Sequence, residues 1–159
     1  MAVEIERKFL VDIDVLDTLQ DGVEMVQGFI PTSDLTVVRP RIAGARAWLT
    51  LKGANKGATR TEFEYEIPPE DARQMIDEMC GGRVVSKTRY TRQHGRHLWE
   101  IDVFHGDNAG LVVAEVELGS EQEEVLLPAW VMGEVTGDAR YYNVNLVAHP
   151  YRKWRDQPG

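Results

Sequence analysis

The sequence predicts a mainly β protein of the α+β class: an eight-stranded antiparallel barrel, closed into a tunnel with a polar interior and flanked by a few helices. Three observations lead to this fold class. Eight short segments alternate charged and apolar residues with the period of two that is typical of strands. Residues that favour turns separate most of these segments. Only three segments have the spacing or the end signals of helices.

The predicted strands cover residues 3–11, 23–30, 35–43, 46–53, 59–67, 83–93, 97–104 and 111–118. Gly44, the segment 53–57, Gly95 and the segment 105–110 supply the turns between them. Most of these connections are short, which favours antiparallel pairing of consecutive strands, and eight such strands favour closure into a barrel.

Three helices are predicted around the strands. The clearest covers residues 69–80, where Pro69 suits the first turn and Gly81-Gly82 ends the helix. Its apolar stripe has helical spacing and consists of Ala72, Met75, Ile76, Met79 and Cys80. A second helix is predicted from Ser120, with Glu123 completing a capping box, to the residue before Pro128. A third is predicted from about Asp138 to Ala148, before Pro150.

Length and composition exclude several classes of protein. With 159 residues, the chain is predicted to form one domain over 1–159 that buries a core of its own. It has no apolar run of about 18 residues and no apolar signal region near its start, which argues against a membrane protein and against export. Cys80 is the single cysteine, which fits a reducing cytoplasm. A net charge of -8 argues against non-specific nucleic-acid binding.

Charges of one sign cluster on individual strands. With a period of two, strands 35–43 and 83–93 place two bases each on one face, whereas strands 59–67, 97–104 and 111–118 place two or three acids each on one face. A sheet with one ordinary solvated face also alternates, but like charges two residues apart repel and such a face gains nothing from their clustering. The pattern favours a barrel whose bore holds acids and bases in groups. Carboxylates there would bind Mg²⁺ or Mn²⁺, and the bases would bind phosphate oxygens.

The first strand contains the most informative motif, Glu4-Ile5-Glu6-Arg7-Lys8. In an extended strand Glu4, Glu6 and Lys8 lie on one face. Two carboxylates at this spacing can bind one divalent cation, and the lysine can reach the anion that the cation holds. This motif predicts a metal-dependent polyphosphate site.

Several further segments, together with this motif, resemble the triphosphate tunnel metalloenzyme superfamily, also called the CYTH domain. The matching segments follow in order over about residues 3–146: Val3–Val11, Thr50–Lys52, Glu62–Glu64, Lys87–Tyr90, Glu100–Phe104, Glu115–Glu117 and Val135–Asn143. The chain is most similar to the short bacterial members, several of which hydrolyse inorganic tripolyphosphate. Phe29 departs from the pattern, since short members often have tyrosine there.

The resemblance implies a role for thirteen charged residues. The implied metal ligands are Glu4, Glu6, Glu115 and Glu117, with Glu100 and Asp102 contributing directly or through water. The implied phosphate-binding residues are Lys8, Arg39, Arg41, Lys52, Lys87, Arg89 and Arg140, the last at the tunnel mouth. The roles of Glu62, Glu64 and Glu66 are left open. A homodimer is compatible with the superfamily.

The predicted reaction is hydrolysis of tripolyphosphate to pyrophosphate and phosphate. One cation can polarise the terminal phosphoryl group and a second can activate water. Lys87 is the candidate catalytic base, because neighbouring cations lower the pKa of a lysine. The alternatives are an adenylate cyclase or a thiamine or nucleoside triphosphatase of the same superfamily, and a non-catalytic polyphosphate-binding module. Trp48 either closes one tunnel mouth or stacks on a nucleobase.

Overall fold

The computed structural model describes residues 3–156 as nine strands, two α-helices and four short 3-10 helices. The strands are β1 (Val3–Val11), β2 (Val23–Gly28), β3 (Val37–Ala43), β4 (Arg46–Lys52), β5 (Thr59–Ile67), β6 (Val84–His94), β7 (His97–Phe104), β8 (Val112–Glu117) and β9 (Val131–Glu134). The α-helices are α1 (Pro69–Met79) and α2 (Asn145–Ala148), and the 3-10 helices cover Ile13–Thr18, Gly106–Asn108, Ala139–Tyr141 and Tyr151–Lys153. The predicted domain over 1–159 extends at both ends beyond the described residues.

Eight strands close the barrel, in the order β5-β4-β3-β2-β6-β7-β8-β1, with β1 pairing back to β5. Every pairing is antiparallel, as predicted from the short connections. One edge of β1 pairs with β8, whereas the other is shared by β5 near its start and β9 near its end. The predicted barrel is therefore confirmed, and β9 is an additional strand that extends the sheet beside β1.

The proline in β3 lies at a gap in the ladder. Pro40 pairs with Leu49 of β4, but on the β2 side the regular pairing stops at Arg41 and only an isolated bridge from Ile30 to Val38 follows. A proline cannot donate a ladder hydrogen bond, so it fits a strand position where one side is open.

An apolar shell covers the outside of β1, β7 and β8. Phe9, Trp99 and Val116 are buried there, with the rings of Phe9 and Trp99 5.6 Å apart. The 3-10 helix Ile13–Thr18 contributes Val15, and Trp130 meets Trp99 edge-on at 5.5 Å. Because this core lies outside the barrel, the inner face of these strands is left for charged residues.

Helix α1 covers the outside of β2, β3 and β4. Ala72, Ile76 and Cys80 are buried on its inner face, whereas Met79 is 54% exposed and does not complete the predicted stripe. The helix approaches Gly28 so closely that a Cβ at this position would lie 2.5 Å from the Cys80 sulfur. Gly28 therefore sets the distance between the helix and the barrel.

The C-terminal segment closes one end of the bore. Three apolar residues lie two positions from charged inward residues and therefore on the same inner face of their strands: Val85, Phe104 and Val113. They pack with Tyr141 and Leu146 in a second core. The predicted third helix is only partly formed, as the 3-10 helix Ala139–Tyr141 and the short α2. The remaining cavity opens toward the other end of the barrel, where Glu64 and Glu117 are exposed.

The predicted helix over 120–127 is wrong. Residues 119–122 form bends and turns, and no regular element follows before β9. The Glu123 carboxylate bonds to the backbone N–H of Gly119 at 2.7 Å and to the ring of His97, so it is not available for the predicted capping box. Among the described residues, no helix is both long and apolar enough to cross a membrane.

Candidate active site

The inner face of the barrel surrounds a cavity of about 250 Å³ lined almost entirely by charged side chains. The strand period of two brings these residues inward from seven strands, as the sequence predicts. The bases in the lining are Lys8, Arg39, Arg41, Lys52, Arg60, Lys87 and Arg89, and the acids are Glu4, Glu6, Glu62, Glu64, Glu100, Glu115 and Glu117. The structure thus brings together all but two of the predicted site residues, Asp102 and Arg140.

The acids of β1 and β8 form one side of the cavity. Burial, followed by repulsion from Glu115 and Glu4, raises the pKa of Glu6 to about 8. Burial alone would also raise the pKa of Glu115, but attraction to Lys8, whose Nζ lies 3.7 Å from the Glu115 carboxylate, holds it well below its ordinary value. Glu6 and Glu115 are therefore a close carboxylate pair of which one member retains a proton at neutral pH.

Glu4 pairs with two cations near the start of β1. Lys52 Nζ lies 3.2 Å and Arg60 Nε 3.3 Å from Glu4 Oε1, and Lys52 also pairs with Glu62 at 3.1 Å. Burial opposes ionisation of Glu4, but the attraction of Lys52 prevails and lowers its pKa. Burial and a hydrogen bond with Glu4 raise the pKa of Glu62 to about 6.

The arginines of β3 have no acidic partner within 4.0 Å among the described residues. Arg39 Nε is buried without a hydrogen-bond partner, and Arg39 Nη2 has only a long bond of 3.4 Å to Thr50. Burial and the neighbouring Arg41 and Arg89 lower the pKa of Arg39 to about 9. A buried guanidinium with unused donors is a binding site for an oxyanion.

Asp102 holds two cations at the floor of the cavity. Its Oδ2 accepts from Lys87 Nζ at 2.7 Å and from Arg89 Nη2 at 2.9 Å, and its Oδ1 accepts from Arg89 Nε at 2.7 Å. Burial would raise the pKa of Asp102, but Arg89 and Lys87 lower it to about 2. Burial, with the nearby Arg89 and Arg41, lowers the pKa of Lys87 to about 7 despite Asp102.

The residues described here contain no ready-made group of three His, Cys, Asp or Glu side chains for a metal ion. Lys8 lies beside Glu115, and Lys52 lies between Glu4 and Glu62. The donor set nevertheless fits a hard cation, because it offers only carboxylate oxygens and because repulsion from Glu115, added to burial, keeps the pKa of Glu6 raised even with Lys8 nearby, which a divalent cation between them would relieve.

A scan against protein-family models matches the CYTH domain over residues 2–151. The chain belongs to the CYTH domain family.

Two curated relatives support this membership. The inorganic triphosphatase of Acetivibrio thermocellus is 42% identical over 156 residues, which are 98% of this chain and 100% of the relative. The inorganic triphosphatase of Nitrosomonas europaea is 38% identical over 148 residues, covering 88% and 93%. A crystal structure of an inorganic triphosphatase matches with a TM-score of 0.63 and 35% identity over 92% of this chain and 95% of that chain.

Two predicted site residues of this CYTH domain lie outside the cavity lining. Asp102 is fully buried and both of its oxygens bond to Lys87 and Arg89, so in this structure it holds these two cations, and its role as a metal ligand stays a prediction. Arg140 is paired with Asp138 at 2.7 Å, and its guanidinium lies over the rings of Tyr141 and Trp154. Its predicted phosphate contact at the tunnel mouth stays a prediction, which would require Arg140 to leave Asp138.

Several residues that line the cavity were not predicted from the sequence. Arg60 shares the inward face of β5 with Glu62 and Glu64, so the same period-two rule could have identified it. Tyr142 and Asn143 come from the C-terminal segment, where no strand pattern indicates which side chains point inward. Trp48 is outside the lining and instead lies 5.1 Å below the guanidinium of Arg46, which Glu66 holds at 2.7 Å.

Proposed function

We propose that this CYTH protein is an inorganic triphosphatase that hydrolyses tripolyphosphate to pyrophosphate and phosphate. The observation that carries the proposal is the buried Arg39, whose Nε has no hydrogen-bond partner, with the half-buried Arg41 beside it in a cavity lined by further bases. Such donors need a compact, multiply charged oxyanion. The relatives named inorganic triphosphatase, which are similar over nearly the whole chain, support the same substrate.

The bases that line the cavity bind the phosphate chain from several strands. Arg39 and Arg41 bind phosphate oxygens from β3, while Lys8 and Lys52 bind them from β1 and β4. Arg89 is already engaged by Asp102 and Glu100, so it contributes mainly through its charge. Held between these groups, the phosphate chain is oriented for in-line attack.

Glu4, Glu6, Glu115 and Glu117 are the residues that would hold Mg²⁺ or Mn²⁺, with Glu100 nearby. When bound, the metal supplies Lewis-acid polarisation of the phosphoryl oxygens and lowers the pKa of water. Glu6 must lose its proton before it can act as a ligand, since its pKa is raised to about 8. With these carboxylates holding the metal, Lys52 and Lys8, which pair with Glu4 and Glu115 here, would be free to bind phosphate oxygens.

Lys87 acts as the general base. Its pKa of about 7 leaves a substantial neutral fraction at physiological pH. The attacking water gives a proton to Lys87 Nζ while its oxygen bonds to the terminal phosphorus. The anhydride bond to that phosphorus breaks, and pyrophosphate leaves with the bond's electron pair.

The cavity offers little to an organic group. Its uncharged lining consists of Phe29, Val37, Tyr142, Asn143 and Val144, near the closed end. A nucleobase would have to remain at the charged, open end, where Trp48 is already stacked against Arg46. This disfavours ATP and thiamine triphosphate as preferred substrates. The carboxylates required for metal binding are present, which disfavours a non-catalytic binding module.

The test is phosphate release from tripolyphosphate, ATP and thiamine triphosphate, each with Mg²⁺ and with Mn²⁺. Tripolyphosphate is expected to give the highest kcat/KM, and Arg39→Met should lower it far more than Arg46→Met. Faster release from ATP would overturn the substrate assignment. Absence of release from all three compounds with either metal would overturn the proposed hydrolase activity.

A further inference from the structure

A chain of hydrogen bonds joins Arg41 on β3 to Asp102 on β7. Arg41 Nε donates to Gln27 Oε1 at 3.0 Å, and Gln27 Nε2 donates to Asn143 Oδ1 at 2.6 Å. Lys87 Nζ donates to the same Asn143 oxygen at 3.0 Å and to Asp102 Oδ2 at 2.7 Å. Gln27, Lys87 and Asp102 are each at most 2% exposed, so bulk water does not compete for these bonds.

Arg41 fixes the direction of every bond in this chain. A guanidinium has donors only, so Gln27 must turn its amide oxygen toward Arg41 and its amide nitrogen toward Asn143. Asn143 must then present its oxygen to Gln27. Because the same oxygen faces Lys87, the lysine can only donate to it. The amide orientations therefore follow from the network itself.

Lys87 is consequently held by two acceptors, Asn143 and Asp102, and its amine has one tetrahedral direction left. In the charged form that direction carries the third N–H. In the neutral form both N–H groups stay on the two acceptors, so the same direction carries the lone pair. Since Lys87 lines the cavity, we infer that this direction faces the space that water and phosphate would occupy.

We propose that Asn143 is a positioning residue that aims the free direction of the Lys87 amine into the cavity, with Gln27 fixing the orientation of the Asn143 amide. The proposal rests on the proposed function, in which Lys87 takes the proton of the attacking water. Without Asn143, the amine can rotate about its Cε–Nζ bond and direct an N–H, in place of the lone pair, toward the water.

The C-terminal segment keeps Asn143 in place. Leu146 is 1% exposed in the second core, and its backbone N–H donates to the Tyr142 carbonyl at 3.1 Å. One residue earlier, the Tyr141 carbonyl accepts from Lys8 Nζ at 3.3 Å. The segment that closes the barrel thus contacts two cavity lysines: Lys8 through the Tyr141 carbonyl and the Tyr142 ring, and Lys87 through its hydrogen bond to the Asn143 side chain.

The test compares two leucine variants in the same segment. Asn143→Leu has a similar volume but no acceptor, and it should lower kcat for tripolyphosphate about 10- to 100-fold, because a misaligned catalytic group costs about that much. KM should stay within about twofold, since Asn143 holds the base and not the phosphates. Asn145→Leu is the matched control: it loses a 2.9 Å hydrogen bond to the Ala139 carbonyl without touching Lys87, and it should retain kcat.

An unchanged kcat in Asn143→Leu would overturn the proposal, as would equal losses of kcat in both variants. If Asn143→Leu does not fold, Asn143→Ala must show the same selective loss of kcat, and failure of both to fold would assign Asn143 a purely structural role. Inactive wild-type protein would instead refute the proposed function.

Discussion

Replacing Arg39 by methionine should stabilise the ligand-free protein while weakening its substrate binding. Burial and two neighbouring arginines lower the pKa of Arg39 from its ordinary high value to about 9, which corresponds to an unfavourable free energy of about 5 kcal/mol at about 1.4 kcal/mol per pKa unit. The arginine stays charged below about pH 9, so the cost is fully present at neutral pH and fades only as the pH rises beyond that value.

Part of that cost is offset by the hydrogen bond to Thr50, which Arg39→Met also loses. A net gain of about 1–4 kcal/mol is expected, as for other buried charges replaced by apolar residues. This should raise the Tm by at least about 2 °C for a chain of this size. Loss of charged hydrogen bonds to phosphate, each about 1.5–3 kcal/mol, should weaken tripolyphosphate binding about 10- to 150-fold.

Thermal unfolding without ligand and a KM measurement by phosphate release test both halves of this prediction. Arg46→Met is the control, because Arg46 is exposed and paired with Glu66, and its replacement should change stability by no more than about 0.5 kcal/mol. Tripolyphosphate should raise the Tm of the wild type more than that of Arg39→Met. A lower Tm for Arg39→Met together with an unchanged KM would refute the reasoning.

Three further predictions concern the acids and the base of the cavity. Glu4→Gln should reduce turnover by about 100-fold or more with little change in thermal unfolding, since a metal ligand is lost but a similar shape is kept; unchanged phosphate release would remove Glu4 from the metal site. Lys87→Met should lower kcat by about 10²–10⁴-fold while tripolyphosphate binding partly survives, as general-base catalysis is lost; calorimetry measures the binding, and an unaltered rate would exclude Lys87 as the base. Because the pKa of Glu6 is raised from 4.5 to about 8, the unfolded chain loses this proton at a lower pH than the folded one, so the metal-free fold should become less stable as the pH rises through that interval, and Glu6→Gln should flatten this decline. Thermal unfolding in EDTA across the interval checks the slope, and equal slopes for both proteins would contradict the assigned pKa.

The strand faces could be predicted because they depend only on the local period of two. Glu6, Arg41 and Lys87 lie inward as soon as their strands are identified, and antiparallel closure then brings them around one cavity. The same alternation predicted the fold, because strands with one charged and one apolar face can close into a barrel that has the charged faces inside and the apolar faces outside, where they can pack in a core.

The sequence was least informative where long-range contacts decide the local structure. Asp102 has the same sequence pattern as Glu100, and only the pairing of β6 with β7 reveals that Lys87 and Arg89 bond to both of its oxygens. Glu123 fits a capping box, yet in the fold it bonds to His97, which is 26 residues away in the sequence.

Strand β9 and the C-terminal segment were not predictable for a related reason. Val131–Glu134 is only four residues long and contains a glycine, so it shows no clear alternation, and its pairing with β1 defines it as a strand. Asn143 follows a 3-10 turn, where no periodicity indicates the direction of a side chain. Its contact with Lys87 emerges only from the packing of Leu146 against the end of the barrel.

The charged cavity should bind a metal ion on its carboxylates and a phosphate chain on its bases. A crystal structure with Mn²⁺ and a non-hydrolysable imido analogue of tripolyphosphate would locate both ligands. We expect anomalous manganese density within about 2–2.5 Å of the Glu6 and Glu115 carboxylates, and phosphate oxygens on Arg39 and Arg41. Manganese and analogue bound outside the barrel, with this cavity holding only water, would contradict the account.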